Sequence, residues 1–399
     1  MLFMGSDARR YWRVEHFEVS CNDAAMNEKI TRRISKNLGQ DDLTELLAEN
    51  LSGSELHSLL LSVSKRRVAK IALSQLTQAS PVTRACDLDG RLINKLENIA
   101  YETARGFEAV ELSPLSPLGA VNVLAKLDQG NVLSTVRTFE CSSDPTIGMT
   151  LECARRRKLL EDRKHSTKLC TNHRVVRFPL PQNPAFTAHF KLFSLVSAGR
   201  DVGSFSFEKE ALREHIDTYL SLLSALRNLN FAFDDIVVEL SDTRVVAQLC
   251  SVFGIDRDEI KASVRARDSE SGNKLLERYS GLWPKIVTAP EDELAQYNLP
   301  KHLIMQLCML EESICNSLGS EHRDVRFVFN MHRLTGLNYY QGPCFHIKVK
   351  NSSGQLYSLA DGGFVSWTQA LLGDSKERLM TSAIGTEMMC RTFLTHSQE

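Results

Sequence analysis

No two of the ten cysteines form a CxxC pair, and they form no even-spaced framework. That argues against a zinc ribbon and a disulfide scaffold, and favours reduced thiols in a cytosolic setting. The eleven histidines do not join the cysteines at zinc-ligand spacing, and His322 and His332 read as surface and turn residues, so no metal is expected. No apolar run approaches membrane-spanning length. The start, Met1-Leu2-Phe3-Met4-Gly5-Ser6-Asp7, reaches a charge without an apolar core segment, so no signal peptide, no membrane and a cytoplasmic location are expected. A formal net charge of -1 offers nothing global to attract nucleic acid or anionic lipid. With 399 residues, 43% hydrophobic and 24% charged, the chain can bury a large core in two or three domains.

The chain is organised around Phe327 to His346. Phe327-Val328-Phe329 reads as a strand, and Gly336-Leu337-Asn338-Tyr339-Tyr340-Gln341-Gly342 leads into a second strand with Phe345, Ile347 and Val349 on one face. On residue chemistry alone this is a hairpin with two half-buried tyrosines, whose flat faces and hydroxyl tips suit a small polar ligand. Upstream, residues 1–87 read as a helical extension. Within it Leu56, Leu59, Leu60 and Val63 form an apolar face, and Lys65-Arg66-Arg67 form a basic helix end. Asp89 to Ala104 reads as a helix and Phe107 to Leu112 as a strand closed by Ser113-Pro114. Phe207 to Leu229 reads as a long amphipathic helix and Phe233 to Leu240 as a buried strand.

The tyrosine segment resembles the RGLDYYTG segment of histidyl-tRNA synthetases and their paralogues, which include the regulatory subunit of ATP phosphoribosyltransferase. Other segments resemble that family in the same order. The helix, Gly106, strand and Pro114 (or Pro117) resemble the first class II signature. Ser143 to Arg155 resembles the LRPEGT strand and helix, with Gly148 where the family keeps a carboxylate. His173 to Phe178 resembles the second signature, with Arg177 as its arginine and Pro179 for its glutamate. Phe190 to Gly199 follows, with Leu192 and Val196 at the substrate-binding Gln and Glu. Tyr357 to Phe364 resembles the GGRYD turn, with Phe364 for arginine, and Met380 to Met389 the third signature, with Met388 for arginine. Only ten residues follow Met389, so no anticodon-binding domain is expected after it.

The resemblance implies an α+β fold: an antiparallel six- or seven-stranded sheet flanked by helices. Core segments at 88–255 and 321–399 would enclose a helical insertion at 256–320, with 1–87 as the extension. It implies ligand-binding roles for Arg177, Arg333, Asn338, Tyr339, Tyr340, Gln341 and Glu387, and a catalytic role for Arg177 alone should adenylate chemistry persist. ATP and Mg would then be the cofactors. Because Thr335, Phe364 and Met388 replace three cations, the leading expectation is a non-catalytic, dimeric small-molecule-binding or regulatory subunit, with Leu192, Val196, Phe364 and Met388 as an apolar cleft lining. A divergent ATP-dependent ligase, with Arg333 or Arg391 standing in, is one alternative. A dimerisation scaffold recruiting a protein through the N-terminal helices is the other. A homodimer is expected; tRNA is not.

Overall fold

The computed structural model describes residues 24–395 apart from 41, 78–79, 81, 179–186, 257–280, 334–335 and 337–338. Three helices come first: α1 (Ala24–Leu38), α2 (Leu43–Glu49) and α3 (Gly53–Val68). The start of α3 is fixed by a reciprocal cap. Glu55 N–H donates to Ser52 Oγ at 3.3 Å, and Ser52 N–H donates to the Glu55 carboxylate at 2.8 Å. Neither α2 nor α3 buries a residue, and Leu59, Leu60 and Val63 stay exposed.

Helix α4 (Gly90–Thr103), capped by Asp89, buries Ile93, Leu96 and Ala100 at helical spacing. Short elements follow: β1 (Glu108–Ala109), β2 (Leu115–Pro117), α5 (Ala120–Ala125) and β3 (Phe139–Cys141). Then come α6 (Pro145–Leu159), β4 (Thr167–Val176), β5 (His189–Arg200), α7 (Ser206–Arg227), β6 (Asp234–Asp242) and α8 (Thr243–Val252). A region of β7 (Ile286–Val287), α9 (Pro290–Leu294), α10 (Lys301–Leu310) and α11 (Ser317–Glu321) leads into β8 (Val325–Asn330). The chain closes with β9 (Pro343–Lys350), β10 (Leu356–Val365), α12 (Trp367–Leu372), β11 (Glu377–Gly385) and α13 (Thr386–Thr392). No described helix is long and apolar enough to cross a membrane.

Among the described residues nine strands form one sheet in the order β1-β4-β5-β11-β10-β9-β6-β8-β7, and β2 pairs with β3 separately. The six strands from β4 to β6 are antiparallel throughout, as expected. The edges differ from the expectation, because β1 runs parallel to β4 and β8 parallel to β6. The hairpin expectation is corrected too. Leu240 of β6 pairs with Phe329 on one side and Phe345 on the other, so β6 separates β8 from β9.

Phe345, Ile347 and Val349 do share one face, fully buried. They pack with Leu212, Ile216, Tyr219, Leu223 and Leu226 of α7, whose spacing presents one continuous apolar stripe. On the other face α6 covers part of the sheet, packing Ile147 and Cys153 over Leu169, Val196, Ala198 and Leu379. The rest of that face is left for the loop between β8 and β9.

Helix α6 is pinned by a sealed ion pair. Arg157 Nε and NH2 donate to the two Glu377 oxygens at 2.6 and 3.0 Å, and both side chains are wholly inaccessible. The other N–H groups reach the carbonyls of His165 (2.7 Å) and Arg163 (2.9 Å). Arg157→Met is therefore expected to cost about 3–5 kcal/mol, because Glu377 is left as an uncompensated buried charge. The double variant Arg157→Met/Glu377→Leu should recover much of that loss, as read from denaturant titrations.

Candidate functional site: the tyrosine loop on the open sheet face

The loop crosses from β8 to β9 over the uncovered sheet face. Gly336 has a φ of +88°, and a Cβ there would lie 2.7 Å from the Tyr340 ring. Tyr340 N–H donates to Gly336 O at 2.7 Å, which holds the Tyr340 ring against Gly336. The Tyr339 and Tyr340 rings meet edge to face at 4.9 Å, and Trp367 of α12 supports Tyr339 at 5.2 Å. Burial raises both phenols well above their ordinary pKa, so each stays a neutral donor.

The loop is anchored to Asp361 of β10. Its Oδ1 accepts from Arg333 NH2 at 2.6 Å and from Tyr340 Oη at 3.1 Å, while His346 Nε2 stands 3.3 Å from Oδ2. The Arg333 guanidinium also lies over the Tyr340 ring, 5.4 Å from its centroid. Sheet register explains the cluster: Asp361 is opposite His346, and His346 is opposite Glu239 on β6. Glu239 is held by Lys348 Nζ and Asn330 Nδ2, each at 2.8 Å. Burial alone would raise the Asp361 pKa, but Arg333 and His346 outweigh it and bring it down to about 2.

At the other end Asp144 caps α6, taking Thr146 N–H at 2.9 Å, and its second oxygen is 3.4 Å from Tyr339 Oη. Arg177 is exposed, bonded through Nε to Ser143 O at 2.8 Å and placed over the Phe190 ring at 5.3 Å. The sheet floor between the two ends is polar. Ser194 Oγ, on the residue paired with Thr171, and His173 Nε2 are buried without hydrogen-bond partners. Burial also lowers the His173 pKa, leaving a neutral imidazole.

No family model matches the sequence, and neither does any curated protein. Solved structures do match. One is a Bacillus halodurans protein described as an ATP phosphoribosyltransferase regulatory subunit/histidyl-tRNA synthetase (TM-score 0.61, 15% identity, 81% of this chain and 84% of that one). Histidyl-tRNA synthetase from Nostoc gives 0.58, 16%, 79% and 74%. A histidine–tRNA ligase subunit from Alicyclobacillus acidocaldarius gives 0.57, 14%, 79% and 97%. The fold is that of a class II aminoacyl-tRNA synthetase core.

Within the synthetase fold the expected residues separate. Arg177, Arg333, Tyr339 and Tyr340 gather on the open face, whereas Gln341 turns away to line a cavity on the far side. Glu387 lies on the helical side, its carboxylate bonded to Arg174 and to Cys86 Sγ. Arg391 is paired there with Asp87. Asn338, Thr335 and Pro179 lie outside the described residues.

The apolar lining is corrected. Phe364 packs edge-on to Phe207 in the helical-side core, Met388 packs against that core, and Val196 is sealed beneath α6. A Cβ on Gly148 would meet Leu112 at 3.3 Å, so Gly148 faces an apolar wall rather than the tyrosines. His332 is buried rather than on a surface turn, bonded to Trp283 O at 3.0 Å. His322 is paired with Asp217 beside Glu321, in a partly exposed cluster that also engages Arg213. Sequence reasoning missed Asp144, Asp361 and His346. The Asp144-Pro145 pair at a helix start was the readable signal for the first.

Two outcomes follow from this geometry. A Cβ at Gly363 would lie 2.5 Å from Cys344 Cβ and 2.6 Å from Tyr340 Cδ1. Gly363→Ala should therefore displace the Tyr340 ring, lowering stability by about 1–3 kcal/mol and changing the near-ultraviolet circular dichroism. Asp361 has a folded pKa of about 2 against an ordinary 3.8. Its contribution is fully present above the ordinary value and drains away as pH falls through the folded one. Asp361→Asn should flatten the acid limb of the stability curve in that window.

Proposed function

We propose that this chain is a non-catalytic synthetase-fold paralogue, a dimeric subunit that binds a small polar molecule on the tyrosine face and regulates a partner enzyme. The supporting observation is the disposition of cations. Adenylate formation needs unengaged positive charge around an α-phosphate. Here Arg333 is spent on Asp361, and Arg391 lies on the helical side with Asp87. Residues 178–189, 334–335 and 337–338 contain no lysine or arginine. Arg177 is then the cation left to meet a phosphate on this face among the described residues, and Asp144 and Asp361 face the same space.

A small ligand suits the face better than Mg-ATP. Neutral phenols, a neutral imidazole and the unpartnered Ser194 and His173 atoms offer hydrogen bonds without strong positive charge. For the dimer, the β2–β3 ribbon leaves Leu115, Leu118, Val136 and Phe139 exposed beside the segment resembling the first class II signature. For the partner, the Bacillus halodurans description supports a phosphoribosyltransferase, and the exposed Leu59, Leu60 and Val63 of α3 offer a further apolar contact.

Pyrophosphate exchange with ATP and a panel of amino acids should give no activity. Exchange abolished by Arg177→Ala would establish the ligase reading instead. Sedimentation should report a dimer that Phe139→Glu converts to monomer, and a tagged chain expressed in its native host should co-purify with a phosphoribosyltransferase.

A further inference from the structure

Where α7 passes the entry to β8, three side chains with different donor atoms converge. Asp217 comes from the middle of α7, Glu321 ends α11, and His322 follows it just before the chain turns into β8. His322 Nε2 stands 2.9 Å from Asp217 Oδ1, and one donor atom from each of the three residues lies within 4.8 Å of the other two. The backbone fixes this meeting. Leu318 is fully buried, His322 N–H donates to its carbonyl at 2.7 Å, and Val325 N–H donates to His322 O at 3.1 Å. Arg227, further along α7, holds the same turn through Asp324 at 2.5 Å.

The charges that meet here are two carboxylates and one guanidinium. Arg213, one turn before Asp217 on α7, donates to Glu321 Oε1 at 2.6 Å, and Asp324 is neutralised by Arg227. The Arg213–Glu321 pair is open to water, its side chains 37% and 45% exposed, so it contributes little and gives way readily. Asp217 is likewise 36% exposed, whereas the imidazole is only 16% exposed and held in place. An arriving ion therefore reaches both carboxylates without opening the core.

We propose that Asp217, Glu321 and His322 form a site for a divalent transition-metal ion of the zinc class, with water completing the coordination. Three protein ligands and one open position are a common zinc arrangement, with bonds of about 2.0–2.2 Å and ligand atoms roughly 3.4 Å apart. The present spacing of no more than 4.8 Å contracts to that by rotation of the long, half-exposed Glu321 side chain once Arg213 lets go. The imidazole nitrogen selects against Mg²⁺ and Ca²⁺, which take oxygen ligands. Bound there, the ion would tie α7 to the turn that starts β8, the strand that leads to Arg333. The site is on the helical side of the sheet and stands independently of the function proposed for the tyrosine face.

The test is calorimetric titration of the full chain, first stripped with a chelator, with ZnCl2 and with MgCl2 as the control. One saturable Zn²⁺ equivalent is expected, lost or weakened about tenfold or more in both Asp217→Asn and His322→Gln, with no response to Mg²⁺ at the same concentrations. Eleven histidines and ten cysteines offer Zn²⁺ other places, so the equivalent that the variants remove is the one that counts. Arg213→Ala frees Glu321 and should tighten Zn²⁺ binding about threefold. That gain cannot come from misfolding, and it decides the matter should the ligand variants fail to fold. The proposal is overturned by no Zn²⁺ binding, by binding unchanged in Asp217→Asn and His322→Gln, by equal binding of Mg²⁺, or by no gain in Arg213→Ala.

Discussion

The Asp361 carboxylate sets the character of the open face. The loop from β8 to β9 has to pass β6, which lies between them, and Asp361 ties it down at Arg333, Tyr340 and His346 together. Arg333 is almost wholly buried, so an unpaired guanidinium there would be strongly unfavourable. The contact that anchors Arg333 and Tyr340 is therefore the one that engages the Arg333 cation.

The two faces of the sheet divide the work. Helical packing by α7 and its neighbours supplies an apolar core under Phe345, Ile347 and Val349, and the ion pairs of Arg174 and Arg391 decorate its margin. The other face keeps its polar atoms. Thr171, Ser194 and His173 sit in a floor that α6 stops short of covering, and Asp361, His346 and Glu239 continue that floor across the strands.

The alternation in Phe345-His346-Ile347-Lys348-Val349 was legible, because period-two burial is a local signal. So were the long helices, and so was the synthetase core, carried by seven ordered segments rather than by any one. What escaped was pairing and phase. That β6 inserts between β8 and β9 is decided by residues far apart in the chain, so an apparent hairpin was indistinguishable from two neighbours of a third strand. A one-residue uncertainty in strand phase sent Phe364 to the wrong face and hid Asp361. Asp144 escaped as well, although an aspartate before a proline marks a helix start.

The parallel pairing of β6 with β8 also bears on how the chain reaches its native state. The two strands are joined by everything from α8 through α11, so Ile236 can meet Val325 only after a long closure with little local reward. Neighbouring antiparallel strands can zip first. Closing β6 onto β9 and β5 onto β11 spans still more of the chain, so the whole central sheet, and with it the seat of Arg333, depends on long-range closure.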